Sequence, residues 1–123
     1  MLASGPAKKV TIHLNEDTIS NKDFLSNAIL SLLFKRGVAG ATVVRPAAGF
    51  GSHHRLHTPG GGIDADQHMP VQIEFIESEA NVEAILPLLE NLVVDGLIEA
   101  HDTTILKSAV AERPIDPRGD PAS

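Results

Sequence analysis

The strongest constraint on the fold is an internal repeat. A strand with one apolar face, an amphipathic helix ended by a glycine, and another strand all occur twice. In Lys8–Leu14, Val10, Ile12 and Leu14 alternate with Lys9, Thr11 and His13, the two-residue period of a sheet covered on one side. Phe24, Leu25, Ala28, Ile29, Leu32 and Leu33 then recur at helical spacing. Ser20 or Asn21 is positioned to cap that helix, and Gly37 follows its basic end, Lys35–Arg36. Gly40–Arg45 reads as the second strand. The second unit places Val71, Ile73 and Phe75 on one strand face and Val82, Ile85, Leu86, Leu89, Leu92 and Val93 along a helix ending at Asp95–Gly96. A strand from Leu97 to about Ile105 closes it. Pro87 removes a helical donor, which predicts a kink or a late helix start.

Two consecutive β-α-β units of matching length predict an α+β, ferredoxin-like βαββαβ sandwich, with an antiparallel sheet and both helices on one face. The other face, bearing Thr11, His13, Val44, Gln72 and Glu74, receives no helix and is expected to meet another copy of the chain. The domain is expected over residues 8–106, after a flexible arm (1–7). The tail at 107–123 is rich in Pro and charge, poor in apolar groups, and expected to be disordered.

Several function classes drop out on composition. There is no cysteine, which removes disulfides, thiolate metal sites and Cys nucleophiles. A formal net charge of −6 lacks the basic stripe that nucleic acid demands, so no nucleic-acid partner is expected. No apolar run approaches the ~20 residues of a membrane span, and the first residues lack the signal-peptide pattern. A cytoplasmic protein without direct membrane insertion is expected.

The segment with chemical potential lies between the halves. A handful of residues would join them, yet the link runs from Ser52 to His68, a length that is uncommon without a function. Gly49 and Gly51 flank Phe50 at its base. Glycines there expose consecutive amides to an anion, or they simply let a strand bend. Arg45, Arg55 and His53 add charge-assisted donors, and Ser52 a hydroxyl. The candidate ligand-binding set is therefore Arg45, Gly49, Phe50, Gly51, Ser52, His53 and Arg55. The loop histidines admit other readings. His53, His54 and His57 could share a metal, although their spacing matches no defined metal signature; they could respond to pH, or stay solvated until a partner orders them. Catalysis is not expected, because Ser52 beside His53 and His54 lacks both the geometry and a third orienting group.

Five segments in order resemble the bacterial and archaeal PII-like proteins grouped as domain of unknown function 190. They are Lys9–Asp17, Gly40–Arg45, Gly49–Phe50–Gly51–Ser52–His53 with Arg55–Leu56–His57–Thr58, Pro70–Ile76, and the helix carrying Leu86–Pro87. The resemblance implies a PII-type homotrimer whose sheets face inward, and a regulatory, signalling role rather than an enzymatic one. It also implies a small anionic effector, an adenine nucleotide by family habit, bound in clefts between subunits. No essential cofactor is implied. The long loop would act on a membrane transporter or an enzyme. In PII signal proteins a Lys-bearing, Gly-rich cradle follows the second helix; here that link is Val94–Asp95–Gly96–Leu97, with no basic residue. This favours a nucleotide with fewer phosphates, or another small anion, over ATP bound in the PII manner. The alternative is a metal-responsive trimer using His53, His54 and His57, similar in fold to the divalent-cation-tolerance proteins.

Overall fold

The computed structural model describes residues 2–15, 19–45 and 70–110, with backbone alone over 19–24. The element order is β1 (Gly5–Leu14), α1 (Ile19–Lys35), β2 (Ala41–Val44), β3 (Val71–Glu77), α2 (Glu79–Leu92) and β4 (Gly96–Ile105). The strands form one sheet in the order β2-β3-β1-β4, each neighbouring pair antiparallel. Each helix therefore bridges two strands that are not neighbours, which is the ferredoxin-like α+β arrangement the repeat predicts.

Both helix ends are legible in their local chemistry. At the end of α1, Gly37 adopts φ +76°, a left-handed conformation that costs a glycine nothing sterically. Its N–H donates to the Phe34 carbonyl at 3.1 Å and the Val38 N–H donates to Leu33 at 3.1 Å, the paired bonds of a Schellman cap. At the start of α2, the Ser78 side chain accepts from the Asn81 N–H at 3.2 Å. The buried Glu77 steadies that cap, its Oε1 accepting from the Ser78 N–H at 3.0 Å.

The apolar faces meet as their spacing requires. Val10, Ile12 and Leu14 of β1, Ile73 and Phe75 of β3, Ile29 and Leu33 of α1, and Ile85 and Leu89 of α2 form one buried cluster. Leu25, Val43, Val82 and Ile98 pack against it. Ile12, Ile29 and Ile73 are fully inaccessible, and each such side chain contributes about 1.5–3 kcal/mol by leaving water.

Neither α1 nor α2 covers the sheet's other face. Its rows follow from the register: Val44, Gln72, His13 and Leu97 lie side by side, then Thr42, Glu74, Thr11 and Glu99, then Ile76, Lys9 and His101. Thr11 is buried even so, flanked on both sides by the longer Glu74 and Glu99.

Several boundaries differ from the sequence expectation. β1 begins at Gly5 rather than Lys8, because Gly5–Ala7 pair with Thr103–Ile105, and Ala7 is buried. The expected arm at 1–7 therefore loses its last three residues to the sheet. Ser20 and Asn21 lie inside α1, which already starts at Ile19, so neither is its cap. α2 starts at Glu79, well ahead of Pro87, so the late start does not occur; it stops at Leu92, short of Asp95–Gly96. A proline interrupts one donor of the ladder, and the cap at Ser78 together with buried Ile85 and Leu89 outweighs that loss. Residues 107–110 carry neither helix nor strand, and the rest of the tail lies outside the described residues.

Candidate functional site

The antiparallel register gathers four chain segments at one end of the sheet. Leu14 of β1 stands opposite Val71 of β3 and Gly96 of β4, while Val44 of β2 stands opposite Gln72. The ends of β1 and β2 and the starts of β3 and β4 thus share this end. It is also where the long link between the halves leaves and returns. Arg45 follows β2 here, exposed and level with Val71.

The turn from α2 into β4 is welded to β1. The Asn15 N–H donates to the Asp95 carbonyl at 3.2 Å, and Asn15 Nδ2 donates to the Asp95 carboxylate at 2.6 Å. Gly96 is the residue that permits this approach, since a Cβ there would lie 2.2 Å from the carbonyl oxygen of His13. The acidic side chain of the turn is therefore engaged with β1. Val94 and Leu97 beside it are exposed and apolar. An anion at this end finds no cation on the turn, and Arg45 is the positive group that β2 delivers.

Of the sequence-derived candidates, Arg45 is the one whose place can be given. Gly49, Phe50, Gly51, Ser52, His53 and Arg55 lie outside the described residues, as do His54 and His57 of the metal alternative. Among the described residues, no group of three or more His, Asp or Glu is disposed to hold a metal ion. No helix among them is long and apolar enough to cross a membrane.

Sequence reasoning did not find a cluster on the uncovered face. His13 Nε2 lies 3.0 Å from Glu99 Oε1, and His101 Nε2 lies 3.7 Å from the same oxygen. The hydrogen bond with His13, against the opposing effect of partial desolvation, holds the Glu99 carboxyl below its usual range; the charges of His13 and His101 add to this. Alternation alone puts His13 on this face, but the pairing with Glu99 needs the β1–β4 register, which joins residues 86 positions apart. A second pair, Lys8 with Asp102, clasps the same two strands on the opposite face. Its hydrogen bond raises the Lys8 pKa and lowers that of Asp102.

Comparison with known proteins supports the fold. The family model of DUF190, described as an uncharacterized ACR, matches residues 7–105. A curated relative, UPF0166 protein MJ1524 of Methanocaldococcus jannaschii, is 28% identical over 112 residues, covering 86% of this chain and 97% of its own. Among solved structures, CPII of Thiomonas intermedia K12, a nitrogen regulatory PII-like protein bound to ADP, AMP and bicarbonate, aligns with a TM-score of 0.54 at 24% identity. That alignment covers 87% of this chain and 94% of CPII. The PII-like protein TTHA0516 of Thermus thermophilus aligns with a TM-score of 0.53 at 20% identity, over 85% of this chain and 91% of its own. With β1 through β4 all inside the matched segment, the chain belongs to the DUF190 family and carries the PII-like, ferredoxin-type fold.

Proposed function

We propose that this protein is a non-catalytic regulatory module that binds a small anionic effector, an adenine nucleotide with few phosphates, in clefts between the subunits of a homotrimer. The observation that carries the reading is that Arg45, the turn at Asp95–Gly96 and both ends of the long link lie at the same end of the sheet, Arg45 at one edge and the turn at the other. The uncovered face, rimmed by exposed Val44, Ile76 and Leu97, is the surface that buries against other subunits. In a trimer this end then borders a neighbour, which forms the second wall of a cleft. Gly49, Gly51, Ser52, His53 and Arg55 follow Arg45 in sequence and complete the anion-binding groups.

The chemistry of the turn sets the preference among nucleotides. Asp95, held by Asn15, puts negative charge where a long phosphate chain would need a cation. ADP and AMP, both present in the Thiomonas protein, therefore fit better than ATP, and bicarbonate is a second anion of suitable size. The loop carries the response to a cytoplasmic target, an enzyme or a transporter.

Thermal unfolding with AMP, ADP, ATP and a cyclic nucleotide tests the binding claim. A ligand at 100 times its Kd adds about 2.7 kcal/mol to the folded state and raises Tm in a dose-dependent way. No shift with any of the four at millimolar concentration would remove the nucleotide reading.

A further inference from the structure

We propose that docking of the uncovered sheet face onto a second copy of the chain takes up protons on His13 and His101, so that assembly tightens as pH falls from 8 to 6. The inference rests on the reading of this face as the subunit interface. It adds what that reading lacks: a reason for assembly to depend on solution conditions.

Glu99 sits between two imidazoles, with His13 Nε2 at 3.0 Å and His101 Nε2 at 3.7 Å from one carboxylate oxygen. All three side chains are partly open to water in the single chain, at 31% exposure for His13, 42% for Glu99 and 63% for His101. Among the described residues, the other charged groups on this face are Lys9 of β1 and Glu74 of β3, which flanks Thr11 on the side opposite Glu99. β2 contributes Thr42 and Val44, which carry no charge, and neither α1 nor α2 packs here. With both histidines neutral, two carboxylates face one ammonium.

Docking strips water from that arrangement. A carboxylate that loses its water must gain charged donors, or its burial opposes docking. Lys9 is already cationic at neutral pH. The imidazoles are the groups whose charge changes between pH 5 and 8, and both already point a nitrogen at Glu99. The docked state therefore holds more protons than the separated chains. By linkage, each proton taken up on docking tightens association about tenfold per pH unit.

Sedimentation equilibrium of the full chain at constant ionic strength, at pH 8, 7 and 6, measures this directly. Graded urea brings an assembly too tight to dilute into range. The expected result is a dissociation constant that falls at least tenfold between pH 8 and 6. Glu99→Gln and, separately, the His13→Gln/His101→Gln pair should flatten that slope, while replacing His53, His54 and His57 by Gln should leave it. A wild-type assembly constant unchanged over this range overturns the proposal, as does a full slope in both Glu99→Gln and the double-histidine variant. Those outcomes leave the interface reading standing. A chain that stays monomeric at every pH and concentration overturns both.

Discussion

Gly96→Ala is expected to destabilise the fold far more than a surface substitution of one methyl group. The added Cβ would sit 2.2 Å from the backbone oxygen of His13 and 3.1 Å from Val93 Cγ1. Ordinary contact needs roughly 1 Å more than the first of these, so β1 and the turn must part. The obstacle is backbone, which places the cost toward the top of the overpacking range of about 1–3 kcal/mol. Separation also loosens the two Asn15–Asp95 hydrogen bonds, each worth about 0.5–1.5 kcal/mol net. A total of about 2–4 kcal/mol follows, or roughly 8–16 °C in Tm for a chain of this size. The chain has no Trp and no Tyr, so far-UV circular dichroism against urea, at one fixed protein concentration, is the suitable assay. Gly40→Ala is the control, because nothing lies within 4 Å of its added Cβ, and it should stay within about 0.5 kcal/mol of wild type. A Gly96→Ala protein as stable as Gly40→Ala would refute the close approach of the turn to β1.

Two further substitutions probe α1 and the pairing of β1 with β4. Ser26→Ala on α1 should stabilise by about 0.5–1 kcal/mol, because the buried Ser26 hydroxyl has no hydrogen-bond partner among the described residues; a clear loss of stability in urea would show a partner. Asp102→Asn should lower the urea midpoint at neutral pH by removing the ion pair with Lys8. The Asp102 pKa is lowered from 3.8, so its contribution is present above that value and lost as pH falls through the lower folded one. The Lys8 pKa is raised from 10.5, so its share is present below 10.5 and lost as pH rises through the higher folded value. A midpoint difference that persists unchanged to about pH 2 would contradict the pairing.

The parts of the fold that were legible in the sequence are those decided by local periodicity. The alternation around Val10–Leu14 and Val71–Phe75, the helical spacing of Ile29, Leu33, Ile85 and Leu89, and the glycine after Lys35–Arg36 each report a local constraint. That both described helices cover one face of the sheet followed from topology. What escaped was set by pairing between distant strands. Gly5–Ala7 carry no strand signal of their own and join β1 because β4 is long enough to pair with them. The contact of His13 with Glu99 depends on a register that no local pattern encodes. The engagement of Asp95 by Asn15 is likewise a meeting of two distant turns; composition shows a missing cation there, and only the fold shows that the carboxylate is held.

Equilibrium dialysis of labelled ADP and AMP, with wild type and Arg45→Ala in parallel, tests the central claim most directly. Wild type is expected to show saturable binding below millimolar concentration, with ATP no tighter than ADP. Arg45→Ala should weaken binding by roughly 10–100-fold, the loss of a hydrogen bond from a charged donor. Absence of binding by wild type, or an Arg45→Ala protein that binds as wild type does, would contradict it.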